Sequence, residues 1–171
     1  AELAVSGTVD GQTDEDTIIF TADSVDLTGI VDAHVAVETL QLTNTDLEDE
    51  VTLVLDADGG ANLGVDNFDA IIGSDAIDTI QVTGNVDLSG ATLTDIEVVA
   101  TTGAADITTI SSATTGLTLA NVNAAKTGVL QLAGTTSATF DLTSVGLSGF
   151  ESISGRTSTT AFDTVVLTQD I

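Results

Sequence analysis

The chain has 171 residues, of which 42% are hydrophobic and only 3% aromatic, so it can form one domain with an aliphatic core. It contains no cysteine, which excludes disulfides, iron–sulfur clusters and cysteine-ligated zinc. Its 27 acidic and 2 basic residues give a formal net charge of −25, which makes nucleic acid and anionic membranes poor partners.

The predicted secondary structure consists of short strands. Their residues are β-branched or alternate between apolar and polar, and Asp, Gly, Asn and Ser flank them as turn formers. In chain order, we predict strands at residues 17–21, 38–43, 51–55, 79–83 and 165–168. Two stretches rich in small residues, 30–38 and 121–126, are compatible with short helices. No apolar run approaches the roughly 20 residues of a membrane span, so we expect no membrane insertion.

Internal repeats organise these strands. Asp16-Thr-Ile is followed by Val25-Asp-Leu-Thr-Gly and then by Val37-Glu-Thr-Leu. The same three motifs recur from Asp78-Thr-Ile onward, and a weaker copy covers residues 140–153. The acidic or amide position of the last motif falls at positions 38, 69, 97, 123 and 151, so that successive copies are nearly evenly spaced.

A near-constant period of this length is typical of solenoids, in which each repeat forms one coil. The predicted fold is therefore all-β: a β-solenoid of about five to six irregular coils with a repeat of roughly 28 residues. Stacked coils, about 4.8 Å apart, pair through backbone hydrogen bonds and bury an aliphatic column. No linker rich in Pro, Gly or Ser divides the chain, so we assign residues 1–171 to a single domain.

The repeat also predicts which side chains form the core. Ile80, Val82, Leu88 and Ile96 should point inward, whereas Gln81 should point outward. If the two copies are equivalent, the inward residues stack on their counterparts in the first copy, which are Ile18, Phe20, Leu27 and Val37.

The string from residue 78 to residue 97 resembles the repeats of bacterial secreted β-solenoid proteins, namely S-layer proteins and large calcium-dependent adhesins of type I secretion. The resemblance covers residues 16–45, 62–103 and 136–168. It implies a lattice-forming or adhesive role outside the cell. The calcium-binding nonapeptide of that group, Gly-Gly-x-Gly-x-Asp, is not present, and the nearest piece is Asp58-Gly-Gly-Ala-Asn.

Carboxylates crowd between residues 46 and 78, where the chain has no basic residue to pair with them. Calcium takes six to eight oxygen ligands and would relieve their repulsion. The alternative interpretation is a solvated acidic surface that keeps the protein soluble. The candidate Ca²⁺ ligands are Asp56, Asp58, Asp66, Asp69, Asp75 and Asp78.

Catalytic motifs are missing from the sequence. His34 is the only histidine, and there is no phosphate-binding glycine loop and no HExxH motif. Glu38, Asp69, Glu97 and Glu151 could be read as the paired carboxylates of a polysaccharide hydrolase. Because this position recurs once per repeat, we interpret it instead as a structural ladder, and we expect no enzyme activity.

The sequence therefore predicts an extracellular structural protein that self-assembles into a surface layer or filament, with copies of itself as partners. The start at Ala1, without Met, favours a mature secreted protein of a bacterial cell surface. Residues 3–9 and 162–167 are apolar and free of proline, so we predict that they form the subunit contact.

The alternatives are a calcium-dependent adhesin or carbohydrate-binding module that contacts cell-surface polysaccharide, a β-helix polysaccharide-degrading enzyme, and a threonine-based ice-binding face.

Overall fold

The computed structural model describes residues 9–10, 15–22, 24–28, 34–35, 38–43, 50–56, 68–134, 136–155 and 163–168. Within these residues all regular structure is β, and no helix is present. The strands are β1 (Val9–Asp10), β2 (Thr17–Thr21), β3 (Ser24–Asp26), β4 (His34–Val35), β5 (Thr39–Thr43), β6 (Thr52–Asp56), β7 (Ala70–Ile72), β8 (Thr79–Thr83), β9 (Val86–Asp87), β10 (Thr92–Thr94), β11 (Val98–Thr101), β12 (Ile107–Ile110), β13 (Thr118–Asn121), β14 (Gly128–Leu132), β15 (Thr139–Asp141), β16 (Gly146–Ser148), β17 (Phe150–Ser154) and β18 (Thr164–Val166).

The predicted strands are confirmed where the structure describes them. Residues 17–21 and 79–83 are strands with the predicted bounds, and the other three predictions overlap β5, β6 and β18. The two helix predictions are not supported. Asn121 ends β13 and Lys126 lies in a turn at a positive φ of 50°. In the other stretch His34 and Val35 form β4, and residues 30–33 and 36–37 lie outside the described residues.

The strands form three main parallel sheets. The first sheet has the order β2-β5-β7-β10, the second β3-β6-β8-β11-β13-β16, and the third β9-β12-β14-β17. Two further parallel pairs are β1 with β4 and β15 with β18. Because the chain leaves a sheet after each strand, neighbours within a sheet are separated by a long stretch of sequence.

Register partners show that this stretch varies in length. In the second sheet Val25 pairs with Leu53, one predicted repeat later, whereas Ile80 pairs with Val99 after a much shorter stretch. In the first sheet Leu40 pairs with Ile71, after a stretch slightly longer than the predicted repeat. The predicted period therefore holds for part of the chain only, because turns between strands vary in length while the strands stay in register.

A single cluster of buried hydrophobic residues, most of them aliphatic, runs from Val25 to Phe150 between the sheets. Strand residues alternate between this cluster and the surface, as in β8, where Ile80 and Val82 are fully buried and Gln81 is half-buried. The predicted inward positions are thus confirmed, since Leu88 and Ile96 are also buried.

The predicted stacking partners are wrong. Ile80 lies between Leu53 and Val99 in the second sheet, whereas Ile18 pairs with Leu40 in the first sheet. The motif Asp-Thr-Ile therefore marks the start of a strand in either sheet, and it does not specify which sheet that strand joins. Val37, the last predicted partner, lies outside the described residues.

Candidate functional site

The residue immediately before a strand, which we call the entry residue, has a recurring backbone role. Its carbonyl oxygen accepts a hydrogen bond from the first N–H of the neighbouring strand in the same sheet. Thr39 N donates to Asp16 O over 3.0 Å, Thr79 N to Val51 O over 2.9 Å, and Thr164 N to Ala138 O over 3.0 Å. The parallel ladder thus begins one residue before the strands themselves.

Acidic side chains of the entry residues add further hydrogen bonds to this backbone ladder. In four places the side chain of one entry residue accepts a hydrogen bond from the backbone N–H of the entry residue on the neighbouring strand. Asp16 N donates to Glu38 Oε2 at 2.9 Å, Val51 N to Asp78 Oδ1 at 2.9 Å, Asp78 N to Glu97 Oε2 at 2.8 Å, and Ala138 N to Asp163 Oδ1 at 3.2 Å. Each contact satisfies an N–H that has no strand partner of its own.

Asp78 is the most deeply buried member of this entry-carboxylate ladder, with no exposed surface. Its Oδ1 accepts from Val51 N, and its Oδ2 accepts from the N–H of Ser74. Gly73 packs so closely that a side chain there would collide with the carboxylate of Asp78 and the carbonyl of Asp95. Both oxygens of this buried carboxylate therefore have backbone partners.

The ladder predicted from the sequence is not one row in space. Glu38 and Asp69 precede paired strands of the first sheet, so these two are register neighbours. Glu97 precedes β11 of the second sheet, and Glu151 lies inside β17 of the third sheet. Asn123 follows β13 in a turn, where its Nδ2 donates to Thr102 O at 2.9 Å. The shared sequence pattern reflects similar local structure in different sheets.

Among the six predicted calcium ligands, the structure describes three side chains. Asp69 and Asp75 are exposed, and Asp78 is buried in the contacts given above. Asp56 ends β6, but its side chain lies outside the described set, as do Asp58 and Asp66. Within the described residues, no three acidic or histidine side chains come together as a metal site. The calcium site stays a prediction.

The repeated Asp-Leu-Thr motif forms a turn at the end of a strand. Asp26 Oδ1 accepts from both the N–H and the hydroxyl of Thr28, at 3.0 and 2.7 Å, and Asp141 Oδ1 accepts from Thr143 N at 3.1 Å. These hydrogen bonds stabilise the ionised form and lower the pKa of Asp26 and of Asp141 below the ordinary value of 3.8, with the threonine hydroxyl as the larger cause.

Asn121, Thr101 and Gly103 form a buried polar cluster that the sequence did not predict. Asn121 is 3% exposed, and its Nδ2 donates to Thr101 Oγ1 at 3.1 Å and to Gly103 O at 2.8 Å. A side chain at Gly128 would collide with that of Asn121. The signal was present in the sequence as Thr-Thr-Gly at 101–103 and Asn-Val-Asn at 121–123, which are in register.

The outward face of the first sheet carries no charge on a chain whose formal net charge is −25. Its described side chains are Thr17, Ile19, Thr21, Thr39, Gln41, Ala70, Ile72, Thr92 and Thr94. The register rows mix Thr with Ala, Ile and Gln, so they are not continuous threonine rows of the kind an ice-binding face requires.

Comparison with protein-family models, with curated proteins and with solved structures finds no match for this chain. In the described part of the chain, no helix has the length and apolar character needed to cross a membrane.

Proposed function

We propose that the chain is a β-solenoid of about six coils that assembles with copies of itself into an extracellular layer or filament. The topology supports the solenoid, since every described strand pairs in parallel with a strand from a different passage of the chain. From β8 to β12 the chain passes through the second, third and first sheets in a constant order. The six strands of the second sheet then correspond to six coils.

The position of the exposed apolar side chains carries the proposal of self-assembly. In the described part of the chain, five large apolar side chains are exposed, and three of them lie on or beside edge strands. Ile19 in β2 is 58% exposed, Val166 in β18 is 38% exposed, and Leu167 directly after β18 is 37% exposed. A further strand stacked on either edge would cover the side of these side chains that faces the edge.

The backbone of β18 offers hydrogen bonds at the same edge. Thr164 N donates to Ala138 O, and Val166 O accepts from Leu142 N, so these two residues face β15. Because backbone groups alternate along a strand, the N–H and C=O of Val165 face the outer edge, where no described strand pairs with them. Such an edge is a template for another chain, and a head-to-tail contact of this kind continues into an open polymer.

The entry-carboxylate ladder supports a strand on the outer edge of β2. Asp16 precedes β2, and its Oδ2 is shielded from solvent without a hydrogen-bond partner among the described residues. At Glu38, Asp78 and Glu97 the corresponding oxygen accepts an N–H from the strand stacked on that side. In a polymer, a strand of the neighbouring copy supplies this N–H to Asp16.

This contact refines the one predicted from the sequence. The predicted C-terminal segment, 162–167, contains β18, whereas residues 3–8 of the predicted N-terminal segment lie outside the described residues. The extracellular setting is supported by the resemblance to secreted repeat proteins and by the high acidity, which keeps such a protein soluble.

The test is electron microscopy of the purified chain together with two matched variants. Val166→Glu places a negative charge on the proposed contact, and Val122→Glu places the same charge at a side chain that is 59% exposed directly after β13. We expect ordered polymers from the unchanged chain and from Val122→Glu, and single particles from Val166→Glu. An unchanged chain that stays monomeric at high concentration, or polymers that survive Val166→Glu, would contradict the proposal.

A further inference from the structure

The first sheet stops at β10, and a cavity of about 210 Å³ lies beside that strand. Its wall combines β10 with the segment 111–117. Thr92, whose side chain points outward, and Leu93, whose side chain points inward, are both lining residues. A cavity that meets both faces of a strand lies against the edge of that strand.

The edge of β10 offers a donor and an acceptor that no described residue uses. Thr92 N donates to Asp69 O at 2.9 Å, and Gly73 N donates to Thr94 O at 2.8 Å, so Thr92 and Thr94 face β7. Because backbone groups alternate, the N–H and C=O of Leu93 point away from β7, toward the outer edge. A partly enclosed edge with free backbone groups favours an added hydrogen-bonding chain.

The chain itself leaves this position of the sheet unfilled. After β9 of the third sheet, β10 occupies the first sheet before the chain enters the second sheet at β11. After β12 of the third sheet, the segment 111–117 makes this connection without a strand, and β13 follows. The strand that would continue the first sheet beyond β10 is therefore missing from this coil.

The lining limits what can enter. The lining residues include Thr92, Ser111 and Thr114, which have hydroxyl side chains, and the apolar residues Leu88 and Leu117, and none of them carries a charge. A residue in a sheet occupies roughly 150 Å³, given a rise of about 3.3 Å, a strand spacing of about 4.8 Å and a sheet spacing of about 10 Å. The cavity therefore has room for one or two residues with small, uncharged side chains.

From these observations we propose that the cavity beside β10 binds a short, extended, uncharged peptide segment, which adds to the first sheet as its next strand. The free N–H and C=O of Leu93 pair with the backbone of the peptide, and the cavity selects small side chains. This site is separate from the edges of β2 and β18, so it does not depend on self-assembly.

The probe is the peptide acetyl-Thr-Ala-Thr-Ala-Thr-amide, whose side chains are all small and uncharged, in keeping with the uncharged lining of the cavity. Added to the full chain at millimolar concentration, it should shift the amide resonances of Leu93 and Thr115 in NMR spectra. It should also slow hydrogen exchange at the Leu93 amide by at least about tenfold, because that N–H becomes hydrogen-bonded.

Two variants of one residue separate the backbone contact from side-chain packing. Leu93→Pro removes the outward N–H without removing a hydrogen bond to β7, whereas Leu93→Ala shortens the side chain and keeps the N–H. We expect Leu93→Pro to bind the peptide at least about tenfold more weakly than Leu93→Ala. A third variant, Ala113→Phe, fills the cavity from the opposite wall and should abolish binding even if Leu93→Pro fails to fold.

Three outcomes would overturn the proposal. The first is the absence of any peptide-induced change at Leu93. The second is equal binding by Leu93→Pro and Leu93→Ala, or full binding by Ala113→Phe. The third is a response of the same amides to N-acetylglucosamine but not to the peptide, which would assign the cavity to a neutral sugar.

Discussion

Acidic side chains complete the backbone hydrogen bonding at both ends of the strands. At strand entries, Asp78 and Glu97 accept N–H groups from the neighbouring strand. At strand exits, Asp26 and Asp141 accept the N–H two residues later. The whole chain has only two basic residues, and the described carboxylates accept most of their hydrogen bonds from backbone N–H groups.

The buried carboxylate of Asp78 gives the first prediction. Asp78→Asn replaces one acceptor oxygen with an NH₂ group, which faces either Val51 N or Ser74 N and leaves that N–H unsatisfied. We expect the free energy of unfolding to fall by about 1–3 kcal/mol, measured by urea denaturation. Asp75→Asn, at an exposed position three residues earlier, is the matched control and should change it by less than about 0.5 kcal/mol. Equal effects of the two substitutions would remove the structural role assigned to Asp78.

The turn at Asp26 gives a prediction about pH. Its folded-state pKa is lowered, so the stabilisation from this group is fully present above the ordinary pKa of 3.8 and is lost as pH falls through the folded value. Thr28→Val removes the hydroxyl donor and should raise the pKa of Asp26 toward 3.8, as measured by NMR titration of the carboxyl carbon. Asp141, which pairs with Thr143, should keep its lowered pKa in the same variant. An unchanged titration of Asp26 would show that the hydroxyl is not the cause.

At the scale of elements, strands such as β8 and β14 alternate between fully buried inward positions and half-buried outward positions. Ile80 has no exposed surface and pairs in register with Leu53 and Val99, whereas Gln81 points outward beside Val54 and Ala100. The core is therefore formed by rows of aliphatic residues that run across the sheet, one residue from each strand.

Substitutions in β8 test this alternation. Ile80→Ala removes a fully buried side chain from the middle of a six-stranded sheet and should lower the free energy of unfolding by about 2–5 kcal/mol. Gln81→Ala, at the adjacent outward position, should change it by less than about 0.5 kcal/mol. Chemical denaturation of both variants measures the difference. Similar losses at the two positions would show that the inward and outward positions of β8 are wrongly assigned.

The sequence predicts strands better than it predicts their partners. Alternation and β-branched residues are local signals, so the bounds predicted for the strands at 17–21 and 79–83 are right. Sheet membership depends on turn lengths, which vary along the chain, so Ile18 and Ile80 fall in different sheets despite matching motifs. The cavity beside β10 could not be predicted either, because it results from a missing strand.

At the scale of the whole molecule, most of the carboxylates that the structure describes lie at strand ends and in turns. The chain carries a formal net charge of −25, yet the described outward side chains of the first sheet are uncharged. Many of the carboxylates lie instead at strand ends and in turns, as Asp16, Asp75 and Asp95 do. Copies that meet through strand edges still bring two strongly acidic molecules together, which opposes assembly at low ionic strength.

Bound calcium would reduce this repulsion and stabilise the fold, which gives the last prediction. A ligand that binds only the folded state adds RT ln(1 + [L]/Kd), or about 2.7 kcal/mol at 100 times Kd. We therefore expect a chelator to lower the melting temperature and millimolar calcium to restore it, as measured by calorimetry. The double variant of Asp56 and Asp58 to Asn should lose this response, and the matched double variant of Asp26 and Asp141 to Asn should keep it, because those carboxylates belong to turns. Identical melting with chelator and with calcium would leave the crowded carboxylates of residues 46–78 as a solvated acidic surface, and polymers would then need salt alone to screen their charge.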